Sequence, residues 1–280
     1  MKLDTLSRPL AACFGAALLA TSPLASAVMA IPQSALFSGA LVDLDGGLEP
    51  VLGMDFKYDT SVAEVIGAEL GYHSKAASDY GINKAYSKVT GGSFTNGPFT
   101  GAVSAWADSF TVTGGSGTFT ADVSVTLSGQ FGPGAYAEAA YGLFAISSEM
   151  YGEILNGGDE FVFDLMVTGL PMGSGFQEII LLGTSSDDGD SEPGSFTAMG
   201  QVQGTYGEAF YLLSVLGTYA EEDGEIDMFN TAVFGILGPA GSDVLTGSGT
   251  PYAPAVPEPE TYALCAVGLA LVYAARRRHR

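Results

Sequence analysis

The sequence predicts an all-β fold, a mostly antiparallel β-sandwich of jelly-roll type formed as one domain, and three observations carry that expectation. Glycine contributes 39 of 280 residues, about twice its usual ~7% share. Charged residues make up only 15% against ~25% in an average globular chain, which disfavours a bundle of solvated helices. Apolar side chains recur with a period of two in several runs bounded by Gly-rich turns. A mean hydropathy of +0.27 argues against intrinsic disorder, and no repeat of fixed period is visible.

In chain order, Ala40 to Leu44 and Gly53 to Tyr58 read as the first strands. Ser61 to Leu70 fits helix or strand, because Val62, Val65, Ile66 and Glu69 suit helical spacing whereas the Val and Gly content does not. Phe110 to Thr113 and Thr118 to Leu127 are β-rich runs joined by Gly114-Gly115-Ser116-Gly117, the pattern of a hairpin with a Gly-rich loop. Within the second run Phe119, Ala121, Val123, Val125 and Leu127 fall on one face and Thr120, Asp122, Ser124 and Thr126 on the other. That is the signature of a half-buried strand. Ala137 to Ile146 follows, and Glu160 to Thr168 aligns Phe161, Phe163, Leu165 and Val167 on one face. Glu178 to Leu182, Ser195 to Gln203, Phe210 to Tyr219 and Thr231 to Leu237 complete the expected strands.

The two ends differ from this middle. Lys2 and Arg8 precede an apolar run from Leu10 to Ala20, then small residues ending in Ala25-Ser26-Ala27. This is the order of a secretory signal peptide over residues 1–27, cut after Ala27, with a cut after Ala30 as the alternative. The exported domain is expected over 28–246 and a Gly- and Pro-rich linker over 247–255. Beyond the linker stand Val256-Pro257-Glu258-Pro259-Glu260-Thr261, an apolar segment at 262–275, and Arg276-Arg277-Arg278-His279-Arg280. Fourteen apolar residues reach about 21 Å as a helix, short of a hydrocarbon core of about 30 Å, so they suit a temporary anchor. The positive-inside rule keeps the Arg cluster cytoplasmic. Pro257 and Pro259, lacking N–H donors, leave an extended and accessible stretch.

This three-part ending resembles the PEP-CTERM sorting signal of Gram-negative bacteria over the last 25 residues. The resemblance implies a membrane-embedded exosortase that recognises Val256, Pro257, Glu258 and Pro259, cuts near them and releases or transfers the domain outward, with Arg276, Arg277, Arg278 and Arg280 as the basic tail. It also implies transient association with the inner membrane, a final place at the cell surface or outside the cell, and a link to exopolysaccharide and biofilm. Segments such as Ala105 to Gly114 and Phe229 to Val233 look like the β-rich cargo that precedes such tails.

Composition excludes much of the common chemistry. Between the two end segments four Lys face 28 Asp and Glu, a net charge of −24 with no Arg, so nucleic acid is not an expected partner. Cys13 and Cys265 both lie in the end segments, which removes disulfides and thiolate sites from the exported part. His73 is the one histidine before the tail, so neither a His-cluster metal site nor H-E-x-x-H can form, and it reads as a lone surface histidine. Gly157-Gly158-Asp159-Glu160-Phe161 spells the signature of diguanylate cyclases, yet no basic residue for a triphosphate accompanies it, and Asn156 to Asp159 reads as a turn before a strand. Acidic loops at Asp43 to Gly46, Asp187 to Glu192 and Glu221 to Asp227 invite Ca²⁺, the second most of all, although none has EF-hand spacing. No cofactor is otherwise expected. Thr111, Thr113, Thr118 and Thr120 would form a short threonine ladder across the expected hairpin.

The expected function is therefore a non-enzymatic, exported surface or matrix protein, with an exosortase-type enzyme and exopolysaccharide as partners. The alternative is a secreted carbohydrate-binding module or carboxylate-dependent glycoside hydrolase, marked by a groove with aromatics such as Trp106, Tyr206 or Tyr211 beside paired acids.

Overall fold

Alternation of buried and exposed side chains decides the architecture. The computed structural model describes residues 34–43, 51–57, 61–67, 71–90, 99–132, 136–157, 175–186, 194–221, 223–229 and 232–252. These form fourteen strands and one helix: β1 Ser34–Asp43, β2 Val51–Lys57, β3 Ser61–Gly67, β4 Tyr72–Asp79, β5 Ile82–Val89, β6 Phe99–Thr113, β7 Thr118–Phe131, β8 Tyr136–Ile146, α1 Ser148–Asn156, β9 Phe176–Ser186, β10 Gly194–Thr205, β11 Ala209–Glu221, β12 Glu225–Asp227, β13 Ala232–Leu237 and β14 Asp243–Thr246. No helix among the described residues is long and apolar enough to cross a membrane.

The strands pair antiparallel in two sheets of seven. The first runs β2-β1-β6-β11-β8-β9, with β14 also on β6; the second runs β10-β7-β12-β5-β4-β3, with β13 bridging β5 and β7. One core cluster draws Leu36, Trp106, Phe110 and Leu216 from the first sheet and Ala76, Ala85, Val125 and Phe234 from the second, so the two pack face to face. The all-β antiparallel sandwich is thus as expected, but fourteen strands exceed the eight of a jelly roll. A second cluster covers the outer face of the first sheet, where Tyr151 and Ile154 of α1 meet Phe37, Ala105, Phe144, Leu213 and Val215.

Several local expectations change. β7 keeps its predicted faces, with Phe119, Ala121, Val123, Val125 and Leu127 buried. The hairpin predicted between β6 and β7 does not form, because β6 belongs to the first sheet and β7 to the second. Gly114 (φ 90°) and Gly117 (φ 79°) instead allow the chain to turn from one layer to the other. The threonine ladder disappears with the hairpin: Thr111 lies opposite Ala209 and Thr118 opposite Thr205. β3 resolves the ambiguity at Ser61 to Leu70 as strand, because Ser61 and Ala63 face the core while Val62 and Ile66 face outward, 54% and 58% exposed. β4 and β5, rich in Ser, Ala and Lys, were not expected from sequence, nor was α1. Ser147 caps that helix by accepting from the Met150 N–H at 3.1 Å. Asn156 ends this helix, with Gly157 as its C-cap, and the rest of the turn expected at Asn156 to Asp159 lies outside the described residues. The strand expected at Glu160 to Thr168 lies outside the described residues.

β1 and β14 share one edge of β6. β1 begins with Ser34 opposite Asp108, and β14 ends with Thr246 opposite Phe110, both antiparallel to β6. The first and last of the described strands thus follow one another along a single partner.

Candidate functional site

The residues singled out for sorting, Ala27, Val256, Pro257, Glu258, Pro259, Arg276, Arg277, Arg278 and Arg280, lie outside the described residues. So does the acidic loop Asp187 to Glu192. The structure does describe the chain just before the motif. Residues 247–252, expected as the start of a linker, belong to the fold. Gly247 N–H donates to the Ser109 carbonyl at 2.8 Å, and Ile236 N–H to the Tyr252 carbonyl at 3.0 Å. The Tyr252 ring is buried against Trp106, Phe110 and Phe234. A Cβ at Gly81 would stand 2.7 Å from that ring, so the β4–β5 turn needs a glycine both for its φ of 78° and for the tyrosine above it. The domain boundary predicted at 246 falls no earlier than Tyr252.

Asp108 anchors this segment. It sits on the inward face of β6 with no solvent exposure, and its carboxylate accepts four hydrogen bonds. Oδ1 receives Ser109 N–H at 2.8 Å and Ser248 N–H at 3.0 Å; Oδ2 receives the hydroxyls of Ser248 and Tyr252, the latter at 2.7 Å. Burial pushes the Asp108 carboxyl above its ordinary value, with these hydrogen bonds opposing the rise. The same burial, with the neighbouring Asp108 charge, pushes the Tyr252 hydroxyl upward. Because Asp108 shares parity with Trp106 and Phe110, a strand reading of this stretch already carried the signal of an inward acid.

Cationic groups collect on the outer face of the second sheet. His73 and Lys75 of β4 and Lys84 and Lys88 of β5 line this face with Tyr86. Lys88 Nζ pairs with Glu225 at 2.8 Å, and Tyr86 donates its hydroxyl to the same carboxylate at 3.0 Å; desolvation and that bond hold the Tyr86 hydroxyl above its usual range. His73, expected as a lone surface residue, instead meets Glu64 at 2.8 Å and the edge of the Tyr86 ring at 5.0 Å. Lys75 Nζ stands 4.2 Å from the Phe229 ring centroid and Lys84 Nζ 5.7 Å from it. Among the described residues neither ammonium has a carboxylate within ion-pair distance.

Of the other expected site elements, the acidic loop Asp43 to Gly46 lies outside the described residues beyond Asp43, and the rest do not assemble among those described. Trp106 is fully buried, Tyr206 packs edge-on against Phe119, and Tyr211 stacks on Tyr151, so the three aromatics line no common groove. The depression between the end of β8 and the start of β9, lined by Ile146, Ser147, Phe176 and Gln177, contains no acid. In the Glu221 to Asp227 loop, Glu221 accepts from Tyr219, Glu225 is held as above, and Asp227 accepts the Phe229 N–H. Among the described residues no three His, Cys, Asp or Glu side chains converge as a cation cage.

No family model matches the chain. No curated protein matches it either. A solved structure of the adhesin domain of Epf from Streptococcus pyogenes is similar at 11% identity with a TM-score of 0.23, over 72% of this chain and 58% of that one. The chain thus spans somewhat more than half the length of that solved chain.

Proposed function

We propose that the chain is an exported, non-enzymatic protein of the cell surface or extracellular matrix, sorted by an exosortase-type membrane enzyme. One observation carries the reading: Val256-Pro257-Glu258-Pro259, the short apolar segment 262–275 and the Arg-rich end follow one another in that order. The fold lends support from the other side, since Tyr252 is buried and stands four positions before Val256. The motif thus follows directly on a packed domain with little chain to spare, and the prolines suit an extended substrate.

The test is Glu258→Ala with Pro259→Ala in the full chain. Unprocessed protein should accumulate in the inner membrane, read by intact mass, with the melting temperature of the domain unchanged. Release of tail-free protein at the normal rate would overturn the reading.

A further inference from the structure

Lys75 and Lys84 present an unusual electrostatic choice. In a region with seven acids for every lysine, two of the four lysines sit over one phenylalanine ring and neither has a carboxylate partner among the described residues. Attraction to the ring face supplies part of what holds them, but two like charges sharing one ring repel each other. Ala77 lies directly across from Lys84 on β4, so on that side only a methyl group stands beside the lysine stem. Tyr86 lies across from Lys75 on β5 and is partly exposed, adding a second ring to the same face, while Glu64, across from Lys75 on β3, turns its carboxylate to His73 at 2.8 Å.

We infer that this face binds a carboxylate-bearing polysaccharide, its acid group between Lys75 and Lys84 and its sugar ring against Tyr86 and Phe229. The inference rests on the reading of the chain as a surface or matrix protein and names its ligand. Charge complementarity selects the occupant. An ammonium on a flexible stem is a compact point charge that a single carboxylate can match, and this region lacks the Arg forks that grip an anion bidentately. The surrounding charge of −24 repels a polymer as dense as DNA, with one charge per about 1.7 Å. A polymer with one carboxylate per sugar meets far less repulsion, and its rings offer apolar C–H faces to the aromatics.

The experiment uses the purified full chain in detergent and gels cast with polygalacturonate, alginate or neutral dextran. The uronate polymers should retard the protein, dextran should not, and added salt should weaken the effect. Lys75→Gln with Lys84→Gln, which keeps the stems, should weaken uronate binding at least tenfold with the melting temperature held within two degrees. Phe229→Leu should weaken it several-fold. Lys57→Gln, which removes the same charge from a strand of the other sheet, should leave it unchanged. Equal retardation of wild type and the double variant, an equal loss on Lys57→Gln, retardation by dextran, or a salt-sensitive dimer lost on the double substitution would each overturn the inference. Binding is read on purified protein and tail processing in cells, so either reading can fall while the other stands.

Discussion

The two halves of β6 cross the same interlayer and fill it with different chemistry. In the first half Thr100, Ala102 and Ser104 point inward; in the second, Trp106, Asp108, Phe110 and Val112 do. Around the first half the two sheets touch through hydroxyls. Ser38 Oγ donates to the Ser61 carbonyl at 3.0 Å, Ser78 Oγ donates to the Phe37 carbonyl, and the two hydroxyl oxygens lie 2.9 Å apart. Ser104 donates to the Ala77 carbonyl at 2.7 Å, and Asn83 donates to the Ser104 carbonyl at 2.8 Å. Ser214 donates to Asn83 Oδ1 at 2.6 Å, so Tyr141, 2.8 Å away, must donate to Ser214. Side chains of one sheet thus bond the backbone of the other, which is possible only where both faces carry small residues. Around the second half, Phe119, Phe210, Phe110, Tyr252, Trp106 and Phe234 run ring to ring with centroids 5.1–5.8 Å apart. The lesson is that one sandwich is held by directional bonds at one end and by apolar area at the other, and the two should fail differently.

The largest effect is expected at the aromatic end. Trp106→Ala should cost about 4 kcal/mol in urea unfolding, because the void is ringed by rigid side chains. Trp106→Phe sharpens the point: the indole N–H finds no acceptor among the described residues, so losing it offsets part of the lost area and the cost should fall to about 1 kcal/mol.

Asp108 lies among the rings yet behaves like the polar end. Asp108→Ala strips the acceptor from two backbone N–H groups and two hydroxyls and should cost about 3 kcal/mol. Asp108→Asn keeps an acceptor at Oδ1, and both hydroxyls can turn to accept from the new amide, so it should cost less than about 1 kcal/mol at acid pH. The pH dependence follows from the raised carboxyl. The folded state holds this proton more tightly than the unfolded chain, so the contribution is complete below the ordinary value of 3.8 and is lost as pH rises through the folded value. The stability of wild type relative to Asp108→Asn should therefore fall on going from about pH 3 to pH 7. A flat difference in matched urea series would show that folding leaves the carboxyl at its ordinary value, and a difference that rises with pH would show that the folded site stays ionised.

A smaller effect is expected at Asn83, where Asn83→Ala leaves the Ser214 hydroxyl and the Ser104 carbonyl without their partner and should cost about 2 kcal/mol. A cost as large as that of Trp106→Ala would mean that the two ends are not energetically distinct.

How far the sequence could be read follows the same division. β7 was legible because its alternation is strong and its inner residues are large. β4 and β5 were not, because Ser74, Ala76, Ser78, Asn83, Ala85 and Ser87 pack by fit and hydrogen bonding, and such residues carry no hydropathy signal. Pairing was harder still. Neighbouring strands usually pair, so a Gly-rich loop between two of them predicts a hairpin, and nothing local in Gly114 to Gly117 says that the chain changes layer. The Lys75 and Lys84 pair became visible only when Phe229, more than 140 positions later in sequence, came to lie beneath both. The sorting residues were legible as an ordered motif, which needs no fold to be read.

The shared edge of β6 sets an order of events. Backbone donors and acceptors of Phe110 to Thr113 on that edge are paired by Asp243 to Thr246, whereas the neighbouring stretch is paired from Ser34 onward. In a chain emerging N-terminus first, the described strands from Ser34 to Leu237 can be in place while four residues of the central strand still present an open ladder. Such an edge is a template for any extended segment that reaches it, and closing it locally requires a contact spanning some 130 residues, which is slow. A molecule interrupted before Asp243 would therefore present one open stretch of ladder at a defined place, and the four residues Asp243 to Thr246 are what close it.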